Sequence, residues 1–247
     1  MKILGDSQIT NATITATNLL AASFADKLKT YPLADNLRTL SNSTVIDLDF
    51  GTDKNPIDTI SICGSNLTAT STMSVSYSDT NILSPDATVS MTIFSTLNQV
   101  VLLPTALSKR YWRISLSDSA VSKINIGFMY IGAALNIDSV EFGHGASLNI
   151  FSNYAVSKTG QGFGSKTYNA LPVDFTMYLD YTDLESYLAI KQANQNIDPV
   201  LLIEYPESYD SSLYRPKYGV LSGTEIPYPM VNNPLSYVIS DRLEERF

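Results

Sequence analysis

The sequence has little of the residue types that most often carry chemistry. Its 247 residues include one cysteine, Cys63, and one histidine, His144. One cysteine cannot form an intramolecular disulfide, so the chain is not a disulfide-stapled scaffold. His144 lies in FGHGA, and no Gly-x-Ser-x-Gly elbow is present for a nucleophilic serine. A Cys63–His144 dyad is disfavoured because Cys63 lies in an apolar strand pattern, where a thiol packs as a small hydrophobe. We therefore expect that the protein is not an enzyme.

Charged residues are also scarce. They make up 16% of the chain, with a formal net charge of −8, and the 16 lysines and arginines are scattered. The nearest basic cluster, formed by Lys109, Arg110 and Arg113, is too small for the basic stripe that a nucleic-acid partner requires. No window approaches the roughly 20 apolar residues of a membrane helix. Neither nucleic-acid binding nor membrane insertion is expected.

The first residues lack the pattern of an exported protein. The stretch MKILGDSQIT has one lysine and reaches Gly5 and Asp6 without the apolar run and small-residue cleavage site of a signal peptide. We expect a protein that is made in a cytoplasm and leaves it as part of a larger particle.

Short strand patterns dominate from Thr44 onward. Segments rich in Val, Ile, Thr, Tyr and Phe recur between turn residues, as TVIDLDF, DTISICGSNL, TMSVSYSD, TVSMTIF, QVVLL, RYWRISLSD and INIGFMYIG. This recurrence predicts a β-sandwich or barrel rather than alternating strands and helices. In TVIDLDF, Ile46 and Leu48 alternate with Asp47 and Asp49, which predicts a half-buried strand.

The only tryptophan raises the choice between a binding site and a core position. Alternation in RYWRISLSD places Trp112 and Ile114 on one apolar face. We favour a core tryptophan, because an indole contributes a large area when it is buried. The next segment, INIGFMYIG, is apolar on both faces, so we expect a central strand whose second face is covered by another layer or subunit. Gly127 and Gly132 in it predict a bend or a close backbone approach.

The region after residue 138 differs in composition. It is first rich in glycine and then contains the clearest helix pattern, at about residues 183–195, with a capping box formed by Thr182 and Glu185. Leu184, Leu188 and Lys191 are expected along one side of this helix, with Tyr187 and Ile190 widening its apolar face. A final segment, LSYVISDRLEERF, predicts a strand with a charged tail.

A long tyrosine- and proline-rich stretch, Glu207 to Pro234, is expected to be irregular. Irregular stretches of this length in compact domains are uncommon and usually functional. Two interpretations stay open: a subunit interface, or a surface loop whose tyrosines pack on their own domain. The tyrosines expected at such an interface are Tyr209, Tyr214, Tyr218 and Tyr228.

Two motifs could suggest bound ions, and both have simpler explanations. The segment DLDFGTDKNPID holds four aspartates but lacks the glycine position and final glutamate of an EF-hand loop. A solvent-exposed strand face followed by a turn explains these aspartates better than a calcium site does. GQGFG, residues 160–164, lacks the flanking strand, helix and Lys-Ser/Thr of a phosphate-binding loop. No metal or cofactor site is predicted.

Two stretches resemble a known family. NSTVIDLDFGTDKNPIDTISICGSNLTATSTMSVSYSDT is similar to the first half of the discoidin-like (galactose-binding-like) β-sandwiches of phage tail proteins, and RYWRISLSDSAVSKINIGFMYIG is similar to their closing strand pair. The resemblance covers roughly residues 35–135. It implies a mainly β fold: a jelly-roll or discoidin-like sandwich over residues 1–138, followed by a smaller α+β domain over residues 139–247.

The resemblance also implies a role. We expect a non-catalytic component of a phage tail tip or baseplate in the virion, which assembles with copies of itself and with other tail proteins. The alternative is a carbohydrate-binding or host-receptor-binding adhesin, since domains of this family often bind saccharides through loops at one end of the sandwich. No loop in this sequence offers an evident pairing of aromatic and carboxylate side chains for a sugar.

Overall fold

The computed structural model describes residues 1–5, 7–29, 36–92, 98–143, 149–156, 162–170, 172–194, 198–207, 216–223, 227–230 and 233–245. The chain divides into two compact units. Unit 1 comprises Met1–Asn136 and Leu201–Lys217, and unit 2 comprises Ile137–Val200 and Tyr218–Phe247. The segment 201–217 therefore belongs with the first 136 residues, whereas the domain boundary predicted at residue 138 places it in the second domain. Within the ranges described, no helix is long and apolar enough to cross a membrane.

The elements before residue 137 are short. Two 3-10 helices are described there, at Gln8–Asn11 and Ala22–Lys29. The strands are β1 (Lys2–Leu4), β2 (Thr13–Ala16), β3 (Leu37–Arg38), β4 (Ser43–Asp49), β5 (Ile57–Cys63), β6 (Ser71–Ser78), β7 (Ala87–Thr92), β8 (Gln99–Leu107), β9 (Tyr111–Asp118), β10 (Asn125–Ile126), β11 (Phe128–Gly132) and β12 (Leu135–Asn136).

The rest of the chain adds further strands and one described α-helix, α1 (Tyr181–Asn194). The strands are β13 (Val140–Gly143), β14 (Asn149–Val156), β15 (Gly162–Ala170), β16 (Pro172–Leu179), β17 (Val200–Ile203), β18 (Lys217–Leu221), β19 (Tyr228–Met230) and β20 (Asn233–Glu245).

Unit 1 is a β-sandwich. One sheet has the strand order β2-β4-β9-β6-β7, and another has the order β11-β5-β8. Alternation positions the core, because successive side chains of a strand point to opposite faces. On β4, Ile46 and Leu48 are buried, and on the neighbouring β9, Trp112 and Ile114 are fully buried. The predicted class, mainly β with a sandwich, is confirmed.

The position of β11 differs from the prediction of a central strand. The apolar segment divides at Gly127 into β10 and β11, and β11 lies at the edge of its three-stranded sheet. The Ser7 hydroxyl donates to the carbonyl of Met129 at 3.0 Å and accepts from the Ile131 N–H at 3.1 Å. The 3-10 helices also contact β11. Residues of the same chain therefore cover a strand that is apolar on both faces.

Unit 2 combines a sheet, a hairpin and the helix. The sheet has the order β18-β20-β16-β13 with β19 paired to β20, and β14 and β15 form the hairpin. Along β16, Phe175 and Met177 point into the core. Helix α1 contacts β16 and β20, and its side chains Leu184 and Tyr187 are buried.

The predicted capping of the helix is wrong. The Asp180 carboxylate accepts a hydrogen bond from the Asp183 backbone N–H at 2.8 Å, so Asp180 caps the helix. Thr182 lies inside the first turn, where its carbonyl accepts from the Ser186 hydroxyl. On the predicted apolar side, Leu184 and Tyr187 are buried, whereas Leu188 is 38% exposed.

The stretch from Glu207 to Pro234 is expected from the sequence to be irregular, but parts of it form strands. It contains β18 and β19, and β18 pairs with β20, where Gly219 lies opposite Glu245. Each of these strands is short, and both pair with β20, which follows them in the chain. Because turn-forming residues interrupt this stretch, neither strand is long enough to give a recognisable strand pattern in the sequence.

A candidate binding groove on the five-stranded sheet

A groove of about 610 Å³ crosses the outer face of the five-stranded sheet in unit 1. Twelve residues line it, and nine of them carry a hydroxyl or an amide: Thr17, Asn18, Ser43, Thr44, Thr72, Ser74, Ser90, Ser115 and Ser117. Val45, Met73 and Leu116 complete the lining. The groove therefore presents neutral polar groups with a small aliphatic part.

The alternation of β6 and β9 produces this surface. Met73 and Leu116 are buried in the sandwich. The hydroxyl residues between the inward positions, such as Ser74 and Ser115, therefore lie on the opposite face of the sheet. Because a sheet holds neighbouring strands in fixed register, the hydroxyl side chains are anchored on a rigid surface.

One wall of the groove is fixed by hydrogen bonds. The Thr17 hydroxyl accepts from the Val45 N–H at 2.9 Å, and the Thr44 hydroxyl donates to the Thr17 carbonyl at 2.8 Å. The Asn18 amide donates to the Ser43 carbonyl at 3.0 Å. Asn18 has a φ of 57°, a left-handed conformation that asparagine tolerates better than most residues. These bonds hold the loop after β2 against β4.

The floor of the groove is different. Five hydroxyls on three adjacent strands, those of Thr72, Ser74, Ser90, Ser115 and Ser117, make no side-chain hydrogen bond to any other residue that the structure describes. Each hydroxyl has one donor and two acceptor sites. The floor can therefore both donate to and accept from a molecule lying on it.

Charged side chains border the groove but do not line it. Arg113 forms a bidentate pair with Asp47 at 2.6 and 2.8 Å. Arg110 pairs in the same way with Asp49 at 2.8 and 3.0 Å, and its guanidinium lies 4.6 Å from the centre of the Tyr111 ring. The hydrogen bond from Arg110 holds the pKa of Asp49 below its usual value. Both carboxylates are thus matched by a cation.

The loops at the Tyr111 end of the sheet form a second polar cluster. Lys109 bonds both Asp79 and Asp86 at 2.8 Å, and Lys54 bonds Asp79 at 2.9 Å. Hydrogen bonds from Lys109 and Lys54 lower the pKa of Asp79 to about 2. Leu83, in the same loop region, is 75% exposed. The cluster satisfies its own charges.

The residues predicted to define the fold lie inside unit 1. Trp112 and Ile114 are fully buried, and the Trp112 indole N–H donates to the Lys109 carbonyl at 3.1 Å. Gly127 donates its N–H to the Cys63 carbonyl at 3.1 Å. Gly132 ends β11 opposite Thr59. The single tryptophan of the sequence is therefore a core residue of unit 1 and not part of an exposed binding site.

The tyrosines predicted at a subunit interface are only partly described. Tyr209 and Tyr214 lie outside the described residues, and so does the side chain of Tyr228 on β19. Tyr218 lies on β18 with 2% of its area exposed. Its ring packs within its own chain and is no open surface for a neighbour. The interface stays a prediction for the other three tyrosines.

Cys63 and three of the aspartates in the aspartate-rich segment have structural partners. Cys63 is fully buried, and burial raises the pKa of its thiol to about 12. His144 lies outside the described residues. Asp58, in the aspartate-rich segment, binds Lys2 at 2.8 Å. With Asp47 and Asp49 paired to arginines, these carboxylates stabilise the fold.

The groove is not predicted from the sequence, although the sequence contains a pattern that accompanies it. In TMSVSYS and ISLSD, hydroxyl residues occupy every second position. This pattern is also typical of an ordinary solvated strand face. Only the pairing of these strands shows that the hydroxyls of β6, β7 and β9 adjoin one another.

Comparisons with known proteins gave structural similarity only. No family model matches the chain, and no curated protein matches it. A chitosan-binding module of a Paenibacillus chitosanase/glucanase is 12% identical, covers 52% of this chain and 99% of its own, and has a TM-score of 0.43. A fucose-binding module of Streptococcus pneumoniae is 11% identical, covers 52% of this chain and 98% of its own, and has a TM-score of 0.40.

A third similar structure is the lectin-binding domain of Lectinolysin complexed with Lewis b. It is 8% identical, covers 52% of this chain and 96% of its own, and has a TM-score of 0.41. At these identities and TM-scores, the similarity assigns neither a ligand nor an activity to this chain.

Proposed function

We propose that the protein is a non-catalytic saccharide-binding protein that takes a neutral sugar in the groove on the five-stranded sheet. The observation that carries the proposal is the floor of five hydroxyls without side-chain hydrogen bonds in the described part of the chain. The proposal rests on the chemistry of this groove and not on similarity to other modules.

The groove fits a polyhydroxylated, uncharged ligand. Sugar hydroxyls need partners that both donate and accept, and serine and threonine side chains do both. No charged side chain is among the lining residues, so a carboxylated or sulfated ligand would lose its hydration without gaining an ionic partner. Val45 offers a small aliphatic contact for the C–H groups of a sugar ring.

The affinity is expected to be modest. The groove has no aromatic lining residue, so the stacking area that aromatic rings add is missing. Each hydrogen bond formed replaces one to water, so its net contribution is about 1 kcal/mol. Several hydroxyls acting together are therefore needed for measurable binding.

The first test is a panel of neutral and uronic-acid-containing glycans, followed by calorimetry with the best neutral binder. Thr72→Val removes a floor hydroxyl at nearly constant shape and should weaken binding about 2- to 10-fold. Thr105→Val is the matched control, because Thr105 is exposed on β8 in the other sheet. Equal affinities of the two variants, or no glycan bound at all, would remove the proposal.

The second candidate is the role expected from the sequence, an assembling subunit of a phage tail in the virion. The exposed leucines of unit 1 favour it: Leu20 is 50% and Leu40 is 57% exposed, and the segments that carry them are hydrogen-bonded to each other. Such apolar groups often contact a partner. Light scattering with size-exclusion chromatography tests self-assembly, because a closed oligomer supports this role and a monomer at high concentration contradicts self-assembly in solution.

A further inference from the structure

The residues that line the groove extend across the strands of the sheet and not along them. It draws residues from β7, β6, β9 and β4 and from the loop after β2, and the outward-facing ones lie in two neighbouring rows that cross these strands. From this arrangement we propose that the ligand is a linear, neutral oligosaccharide that lies across the strands. The groove holds about four of its sugar units. The proposal rests on the proposed function and adds the shape and orientation of the ligand.

The strand register defines one row of positions across the sheet. Thr17 bonds the Val45 carbonyl through its N–H at 2.9 Å, and Val45 lies opposite Ser115. Ser74 lies opposite both Ser115 and Ser90. The row therefore runs through five positions on adjacent segments: Thr17, Val45, Ser115, Ser74 and Ser90.

A second row runs beside the first. Ser43 lies opposite Ser117, and Ser117 lies opposite Thr72. Residues of one row and the next are two positions apart on each strand, about 6.8 Å. Two parallel rows of polar groups at this spacing can contact the two edges of a chain of sugar rings.

The next row along the strands is closed to a ligand. Asp47, Arg113, Ser76 and Thr88 lie opposite one another there. Arg113 is bonded to Asp47, and the hydroxyls of Ser76 and Thr88 bond each other at 2.8 Å. None of these four residues lines the groove. A ligand that followed the strands would have to break these bonds, whereas one that crosses the strands meets open hydroxyls.

The length of the row sets the number of sugar units. Five positions are separated by four strand spacings of about 4.8 Å, or about 19 Å in total. A pyranose unit in an extended chain advances by roughly one such spacing. About four units therefore fill the row, and further units extend beyond the hydroxyls.

The test measures affinity against chain length. Cello-, manno-, xylo- and malto-oligosaccharides of one to six units are titrated into the full chain by calorimetry. In the series that binds, affinity should rise with each unit up to about four units and then level off. Oligogalacturonides of the same lengths should bind at least about 10-fold more weakly, because the groove lacks a cation for their carboxylates.

Two variants on β7 test the orientation. Ser90→Ala removes the hydroxyl at one end of the row without adding bulk. The affinity should therefore stop rising at a chain one unit shorter, and the tetramer should bind about 2- to 10-fold more weakly. Thr88→Val is the matched control, two residues away on the same strand and in the closed row. It should leave the length dependence unchanged.

The outcomes separate this inference from the proposed function. If no oligosaccharide in the panel binds, the proposed function itself fails. If saccharides bind with an affinity independent of chain length, or if Thr88→Val impairs binding as much as Ser90→Ala does, the crossing orientation is wrong while saccharide binding stands.

Discussion

Asp118 shows how one side chain organises a whole corner of the sandwich. Its buried carboxylate accepts hydrogen bonds from the hydroxyls of Ser71 and Thr70 at 2.6 and 2.9 Å and from the backbone N–H groups of Thr68 and Ala120 at 2.7 and 2.9 Å. Burial alone raises the pKa of this carboxyl, but the hydrogen bonds outweigh burial and hold its pKa well below the usual value. Asp118 therefore ties the loop after β5 to the end of β9.

Asp118→Asn should lower the free energy of unfolding by about 2–3 kcal/mol at pH 7, since it weakens several hydrogen bonds to a charged acceptor. Because the folded pKa is lower than the unfolded value of about 3.9, this contribution is complete above about pH 5 and is lost as the pH falls toward the folded pKa. Urea unfolding at pH 7 and pH 3 measures it. An unchanged difference between variant and parent at the two pH values would contradict the assignment.

Pairing in unit 2 depends on close backbone approach at a glycine. Gly219 on β18 faces β20, and a Cβ atom placed there would lie 2.3 Å from the Glu244 carbonyl oxygen. Such a distance is far below van der Waals contact, so the glycine is needed for β18 to approach β20. The same strand hid from sequence analysis because a glycine in the middle of five residues weakens a strand pattern.

Gly219→Ala should therefore destabilise unit 2 by about 1–3 kcal/mol, the usual range for a forced backbone shift. Gly51→Ala is a useful comparison, because Gly51 has open space around its Cα but a φ of 60°. Thermal unfolding of both variants compares the cost of a steric clash at Gly219 with the cost of backbone strain at Gly51. A melting temperature for Gly219→Ala equal to that of the parent would contradict the close approach.

Strands and their buried faces are predictable from the sequence where apolar and polar residues alternate strictly. Ile46 and Leu48 on β4 and Trp112 on β9 were placed in the core by period-two patterns alone, and each is buried. The helix was found within two residues, but its cap was assigned to Thr182 because a capping box and a capping aspartate give similar local patterns. Strand neighbours, edges and the groove depend on distant pairing, which no local pattern contains.

The chain as a whole is not divided at one point. Strand β1 pairs with β17, where Ile3 lies opposite Leu202, and both side chains are fully buried. Lys217 also forms an ion pair with the buried Glu204. The first 138 residues therefore lack a strand and an apolar layer of their own unit.

A fragment of residues 1–138 should consequently melt at a lower temperature than the same fragment joined by a Gly/Ser linker to residues 199–217. The linked fragment regains three apolar side chains, Leu201, Leu202 and Ile203, which are 0–1% exposed in the full chain, and their burial stabilises the folded state. Circular dichroism melting compares the two directly. Equal melting temperatures would show that residues 201–217 do not complete unit 1.

The contact of Ser7 with β11 affects how readily the protein aggregates at high concentration. An uncovered strand edge is a template on which the strand of another molecule can add, the first step toward ordered aggregates. By bonding Met129 and Ile131, Ser7 occupies backbone groups at this edge, and it does so with one hydroxyl from a segment more than a hundred residues away. The edge of β11, a strand that is buried along its whole length, therefore has fewer backbone groups left for the strand of another molecule.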